Sequence, residues 1–219
     1  MSESKLMFVL WDERTGDRLG QALRDPGLRG RLAEAGVRRV QLNLADEDAA
    51  ALRRQAFARP VRAVVGLWTT GSAAAAALVL RGVAEQVAGW RVEEHRLLEP
   101  APDDARSLRS VVAVVRRPEG PGVPADDPWL QRWLEHHAAV AAANPTTVGY
   151  VQDVVVAAVT RDAPAVHAIV EEVTDGGDAD PGRRVTRLVE SVATIGADRD
   201  LDLVPTSRCV LDLTGSGPA

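Results

Sequence analysis

Two tryptophans, two adjacent histidines, a tyrosine and a glutamine crowd into one stretch of a chain otherwise dominated by Ala, Val, Leu and Arg. They are Trp129, Trp133, His136, His137, Tyr150 and Gln152, and Tyr150 is the only tyrosine in the protein. An imidazole held against an apolar wall can give or take a proton near neutral pH, as general acid–base catalysis requires. A phenol and an amide two residues apart on a strand project to the same side and can orient a carbonyl or hydroxyl oxygen. Indole rings supply flat apolar surface for an aromatic ligand. These types and spacings suit proton transfer on a small oxygenated molecule. His137 and Tyr150 would react, while Trp129, Trp133, His136 and Gln152 would bind.

The histidines need a helix beneath them. Asp126 or Asp127 can cap its free backbone amides, and Pro128 fits the first helical position, where its missing donor costs nothing. Asn144-Pro145 ends it, because Asn tolerates the left-handed cap and Pro cannot continue the helix. At about 100° per residue, Leu130, Trp133, Leu134, Val140 and Ala141 share one face with His137 near its middle. His136 falls on the flank beside Trp129, and Gln131, Arg132, Glu135 and Ala139 lie opposite. A purely structural reading uses the same residues. In it His137 bonds to backbone carbonyls in the core, His136 is half-exposed, and Tyr150 fills a sheet-to-helix contact with Gln152 exposed.

The segment resembles the EthD family of the dimeric α+β barrel superfamily. That family carries an aromatic–Trp pair, a histidine four residues after the Trp and often a second one before it, then a Tyr-Val-Gln strand. Trp133, His136, His137, Tyr150, Val151 and Gln152 match in order and spacing, while Arg132 stands where the family has an aromatic residue. The match is specific over residues 127–153, looser across 108–213, and one of layout alone in the N-terminal half. The resemblance implies a pocket lined by the matching histidine. It also implies cofactor-independent chemistry of the kind found among relatives, which include isomerases, decarboxylases, cyclases and monooxygenases.

Composition bounds the alternatives. The chain has 219 residues, enough for one large domain or two smaller ones with proper cores. A net charge of −5 with interspersed acids and arginines leaves no basic field for nucleic acid. Lys5 is the only lysine, and the Arg, Ala, Val and Gly bias suggests a GC-rich bacterial genome. The lone Cys209 excludes an internal disulfide and fits a reducing compartment. No signal-peptide pattern opens the chain, and the run 71–80 is too short to span a bilayer, so a cytoplasmic protein without membrane contact is expected.

Along the chain one order of elements recurs. Strands are expected at 5–11, 40–44, 61–68 and 90–98, with helices at 17–35 and 71–89. After a Pro-rich linker come strands at 110–116, 147–159, 166–173 and 206–213, with helices over 128–143 and 181–196. The expected fold is α+β: two ferredoxin-like β-α-β-β-α-β halves whose antiparallel sheets pack into an α+β barrel. The halves span 1–100 and 110–214, with a linker at 101–109 and a tail at 215–219. Each half leaves one sheet face bare, and that face must be buried, either within one chain or in a homodimer.

Trp11 and Trp68 end strands expected to be neighbours. They either cap a core or form a flat wall for an aromatic ligand, Trp68 being the binding candidate. His95 sits among charges, and His167, alternating with apolar neighbours, faces either the pocket or solvent, with solvent the expectation. No His, Cys and carboxylate spacing resembles a metal site, since adjacent helical histidines diverge. The acidic 175–180 turn lacks calcium-loop spacing, and Cys209 is expected as a small core residue. Three functions fit. One is a cofactor-independent enzyme acting on an oxygenated aromatic or polyketide-like molecule. The second is a metabolite-binding or dimerising accessory protein. The third is a haem binder, by analogy with barrels that ligate iron through histidine.

Overall fold

The computed structural model describes residues 3–13, 17–99, 109–116, 128–143, 145–175 and 200–214, with isolated helical positions at 182, 186, 189–190 and 193; side chains are not described at 136–138 and 140–142. All of the expected linker 101–109 except Arg109, which opens a strand, the caps Asp126, Asp127 and Asn144, most of the helix expected at 181–196, and the tail therefore lie outside the described residues.

The N-terminal part runs β1 (Ser4–Trp11), α1 (Arg18–Arg24), α2 (Pro26–Glu34), β2 (Val37–Ala45), β3 (Ala63–Thr69), α3 (Ala73–Arg81) and β4 (Gln86–Leu98). The C-terminal part runs β5 (Arg109–Val115), α4 (Pro128–Ala142), β6 (Thr147–Ala158), β7 (Ala168–Thr174) and β8 (Leu201–Asp212). All eight strands form one closed antiparallel barrel in the order β1-β3-β2-β8-β5-β7-β6-β4. The joins between the two parts are β2 with β8 and β4 with β6, so a single chain closes the barrel.

Strand alternation sorts side chains to two sides of this wall. In β1, Leu6, Phe8 and Leu10 point outward onto α1, α2 and α3, where Leu23, Leu28, Leu32 and Leu80 complete a buried layer. Met7, Val9, Val64, Trp90, Val112 and Ile169 point into the lumen and fill it midway. Val111, Tyr150, Val154 and Val170 point outward under α4 and meet Trp129, Leu130 and Trp133. Each fully buried large side chain contributes roughly 1.5–3 kcal/mol relative to exposure, so three apolar layers fix the wall on both sides.

Two helix boundaries depart from the sequence expectation. The helix expected at 17–35 is broken in two at Asp25, whose extended backbone (φ −61°, ψ 129°) precedes Pro26 and whose carboxylate accepts from the Leu28 amide at 3.1 Å. Proline disfavours a helical residue before it, and Asp25 uses the interruption to cap the second helix. Gly36 then turns the chain into β2 at φ +87°, a left-handed value suited to glycine after a helix end. The helix expected at 71–89 stops at Arg81 with Gly82 as its cap, and β4 begins already at Gln86. Val87, Ala88, Gly89 and Trp90 are all buried because helix covers one face and lumen the other, which hides the alternation that marks a strand.

Candidate functional site

On α4, Gln131, Arg132, Glu135 and Ala139 are exposed, while Trp129, Leu130 and Trp133 are buried against the sheet. The two indoles stack nearly parallel, centroids 5.9 Å apart and planes 6° from one another. Beneath them lie Tyr150 and Gln152, both fully buried on the outward face of β6, while Asp153 of the same strand turns into the lumen. The Gln152 amide donates to the Trp133 carbonyl at 3.4 Å, which ties strand to helix. Gln152 is therefore part of the layer under α4, where the structural reading had left it exposed. Among the described residues, neither the Tyr150 hydroxyl nor Gln152 Oε1 has a hydrogen-bond partner of good geometry. Burial, then the Glu172 carboxylate, push the phenol well above its ordinary pKa, an effect that the neighbouring Gln152 amide partly offsets. Glu172 shares this outward layer and accepts from the Thr147 hydroxyl at 2.6 Å.

His136 and His137 stand on α4 three and four residues beyond Trp133, with their side chains outside the described residues. His167 corrects an expectation. It is fully buried, its ring 6.4 Å from that of Trp129 and inclined by 69°. Its amide donates to the Val115 carbonyl and its own carbonyl accepts from the Val155 amide, both at 2.9 Å, which seats it between β5 and β6. His95 is half-exposed, 3.6 Å from Glu93. Cys209 is half-buried on β8 rather than within the core.

The lumen holds a second set of chemistry-bearing groups that sequence reading missed. Lys5 points inward from β1 and donates to Glu94 at 2.5 Å and to Asp153 at 2.9 Å. Across the barrel Glu171 accepts from Asn43 at 2.5 Å and from Gln41 at 2.8 Å, and pairs with Arg208 at 3.2 Å. Ser110 and Thr206 hydroxyls lie 2.6 Å apart beside Asn43. Burial pushes the Asp153 carboxyl up to about 6 against the pull of Lys5, with Glu94 and Glu171 adding to the rise. Burial also pushes Glu94 up, but the charges and hydrogen bonds of Lys5 and Arg96 outweigh it and hold that carboxyl below its usual range. The available signal was the one lysine of an arginine-rich chain standing in an apolar strand.

At this end the barrel opens into a cavity of about 770 Å³ lined by Lys5, Arg39, Trp68, Val92, Glu94 and Arg96 among others. Trp68 thus sits at the lumen mouth and not with the residues under α4. Trp11 lies at the opposite end of the barrel, edge-on to Phe57 at 5.2 Å, because β1 and β3 run antiparallel. The two tryptophans therefore form no common wall. Among the described residues no group of three or more His, Cys, Asp or Glu is placed to hold a metal, and no helix is long and apolar enough to cross a membrane.

No family model matches the chain, and no curated protein matches it significantly. Solved structures do share its fold over nearly the whole length. An anthrone oxidase-like protein superposes with a TM-score of 0.63 at 12% identity, covering 99% of this chain and 96% of its own. A candidate monooxygenase from Fusobacterium nucleatum gives 0.57 at 8% identity over 96% and 94% of the two chains. Another from Lactobacillus acidophilus gives 0.53 at 14% identity over 97% of each. The chain is thus an α+β protein built on an eight-stranded antiparallel barrel of the architecture these proteins share.

Proposed function

We propose that the protein is an oxygenase-type enzyme that uses molecular oxygen on a small, enolisable aromatic or polyketide-like substrate without a bound cofactor. The observation that carries this reading is the pair of fully buried polar side chains, Tyr150 and Gln152, lying side by side under the stacked Trp129–Trp133 wall. Burial keeps the phenol protonated, so it can donate to a developing enolate oxygen in a site of low dielectric. His137 takes the proton from an activated CH₂, and the electron-rich enolate reduces oxygen. The balance is R₂CH₂ + O₂ → R₂C=O + H₂O. Gln152 and His136 orient the substrate, and Trp129 and Trp133 pack its rings. The strand orders β4-β1-β3-β2 and β8-β5-β7-β6 support two ferredoxin-like halves fused in one chain. On that reading the second half is EthD-like and carries the active pocket, and the first, without the histidine pair, is degenerate.

The test uses anthrone as probe in air-saturated buffer with EDTA, following oxygen uptake and quinone absorbance. Wild type should accelerate both, and His137→Ala should lose roughly 10²–10⁴-fold with an unchanged circular dichroism spectrum. Full activity in that variant would remove the histidine from the mechanism. Anthrone bound tightly and returned unchanged would instead make the protein a metabolite holder.

A further inference from the structure

The lumen mouth carries a feature the oxygenase reading does not use. Across β2, β3, β1 and β4 the register sets Arg39, Trp68, Lys5 and Val92 in one row. Lys5 is committed to Glu94 and Asp153, and Arg96 to Glu94 and Glu99. The Arg39 guanidinium differs. Its Cζ sits over Trp68, 3.6 Å from the ring centroid, and it makes no hydrogen bond or ion pair among the described residues. Its Nε is buried without an acceptor. The cross-strand neighbour Asp212 is turned back onto the Thr214 amide and hydroxyl, at 2.8 and 2.6 Å. A stacked guanidinium is held in place by its ring, so its donor edge is pre-organised for a planar two-oxygen acceptor.

We propose that this mouth is a binding site, separate from the residues under α4, for a small molecule bearing one carboxylate on a flat apolar body. The carboxylate takes the two-point contact from Arg39, and the body lies in the 770 Å³ cavity against Val92 and Val156. That volume falls in the range of cavities that enclose small ligands. The lining holds one more cation than carboxylates, with Arg38 and Arg91 beside Lys5, Arg39 and Arg96, and Glu93 beside Glu3, Glu94 and Asp212; that balance suits a single negative charge.

Benzoate is the probe, with benzamide as its neutral isostere, titrated by calorimetry and by indole N–H resonances. The chain has five tryptophans, so the Trp68 signal is assigned as the one missing from Trp68→Phe. Benzoate should bind and shift that signal, benzamide should not, and Arg39→Gln should weaken benzoate about tenfold or more. Should that variant fold poorly, Arg39→Lys keeps the charge and loses the fork, and a several-fold weakening is expected. The proposal is overturned by any of three results. These are no binding of benzoate at about 10 mM, equal binding of benzamide, and wild-type affinity in both Arg39 variants.

Discussion

Asp153→Asn isolates the buried charge cluster in the lumen. Asp153 accepts from Lys5 at 2.9 Å, with 3% of its side chain exposed. Burial raises its carboxyl from 3.8 in the unfolded chain to about 6 in the folded barrel. A raised folded value means that the native state holds the proton more tightly than the unfolded state. Well below pH 3.8 both states are protonated and the contribution is fully present. As pH climbs toward 6, the unfolded chain ionises freely and the barrel resists, so stability is lost across that window. Two units at about 1.4 kcal/mol each give about 3 kcal/mol over the whole titration, of which about 2.4 kcal/mol falls between pH 4 and pH 7, because the unfolded carboxyl is already partly ionised at pH 4. Glu94 shares Lys5, so the step belongs to the cluster rather than to one carboxyl alone. The carboxamide has nearly the same shape and cannot ionise. Urea unfolding of both proteins at pH 4, 5, 6 and 7 gives a difference curve in which unrelated titrations cancel. The variant should gain on wild type by about 2.4 kcal/mol between pH 4 and pH 7. A flat difference, or wild type gaining instead, would refute the reasoning, the latter showing that attraction to Lys5 outweighs burial.

Other perturbations reach different layers. Gly89 pairs with Phe8 across β1 and β4, and a Cβ there would meet Phe8 Cε1 at 2.3 Å, inside a fully buried ring. Gly89→Ala should therefore lower stability by about 1–3 kcal/mol in denaturant unfolding, and Phe8→Leu in that background should recover part of the loss. Tyr150→Phe removes a buried hydroxyl without a well-formed partner among the described residues. Its Tm should hold or rise, while kcat/KM on the anthrone probe falls roughly a hundredfold. A lowered Tm with unchanged turnover would assign the hydroxyl to structure alone.

How much of this could be read from residues depends on what surrounds each element. Strands β1, β5 and β6 lie close to where alternation and β-branched runs put them, and α4 shows the expected division into Gln131, Arg132 and Glu135 outside and Trp133 inside. Alternation failed where both faces of a strand are covered. The start of β4 read as a continuation of helix, and His167 read as exposed although it is sealed between neighbouring strands. Spacing told that Tyr150 and Gln152 share a side, but a period of two cannot say which side of a barrel wall that is. The lumen network was invisible for a different reason. Lys5, Glu94, Asp153 and Glu171 are far apart in sequence, and only barrel closure brings them together.

The most direct test of the oxygenase account is isotopic. The dialysed protein, with EDTA and the anthrone probe, is run under ¹⁸O₂ and the quinone is analysed by mass spectrometry. One ¹⁸O atom in the new carbonyl, formed at an enzyme-dependent rate and lost in His137→Ala, is the expected result. Product without label from ¹⁸O₂, or labelled product formed no faster than in buffer alone, would contradict it.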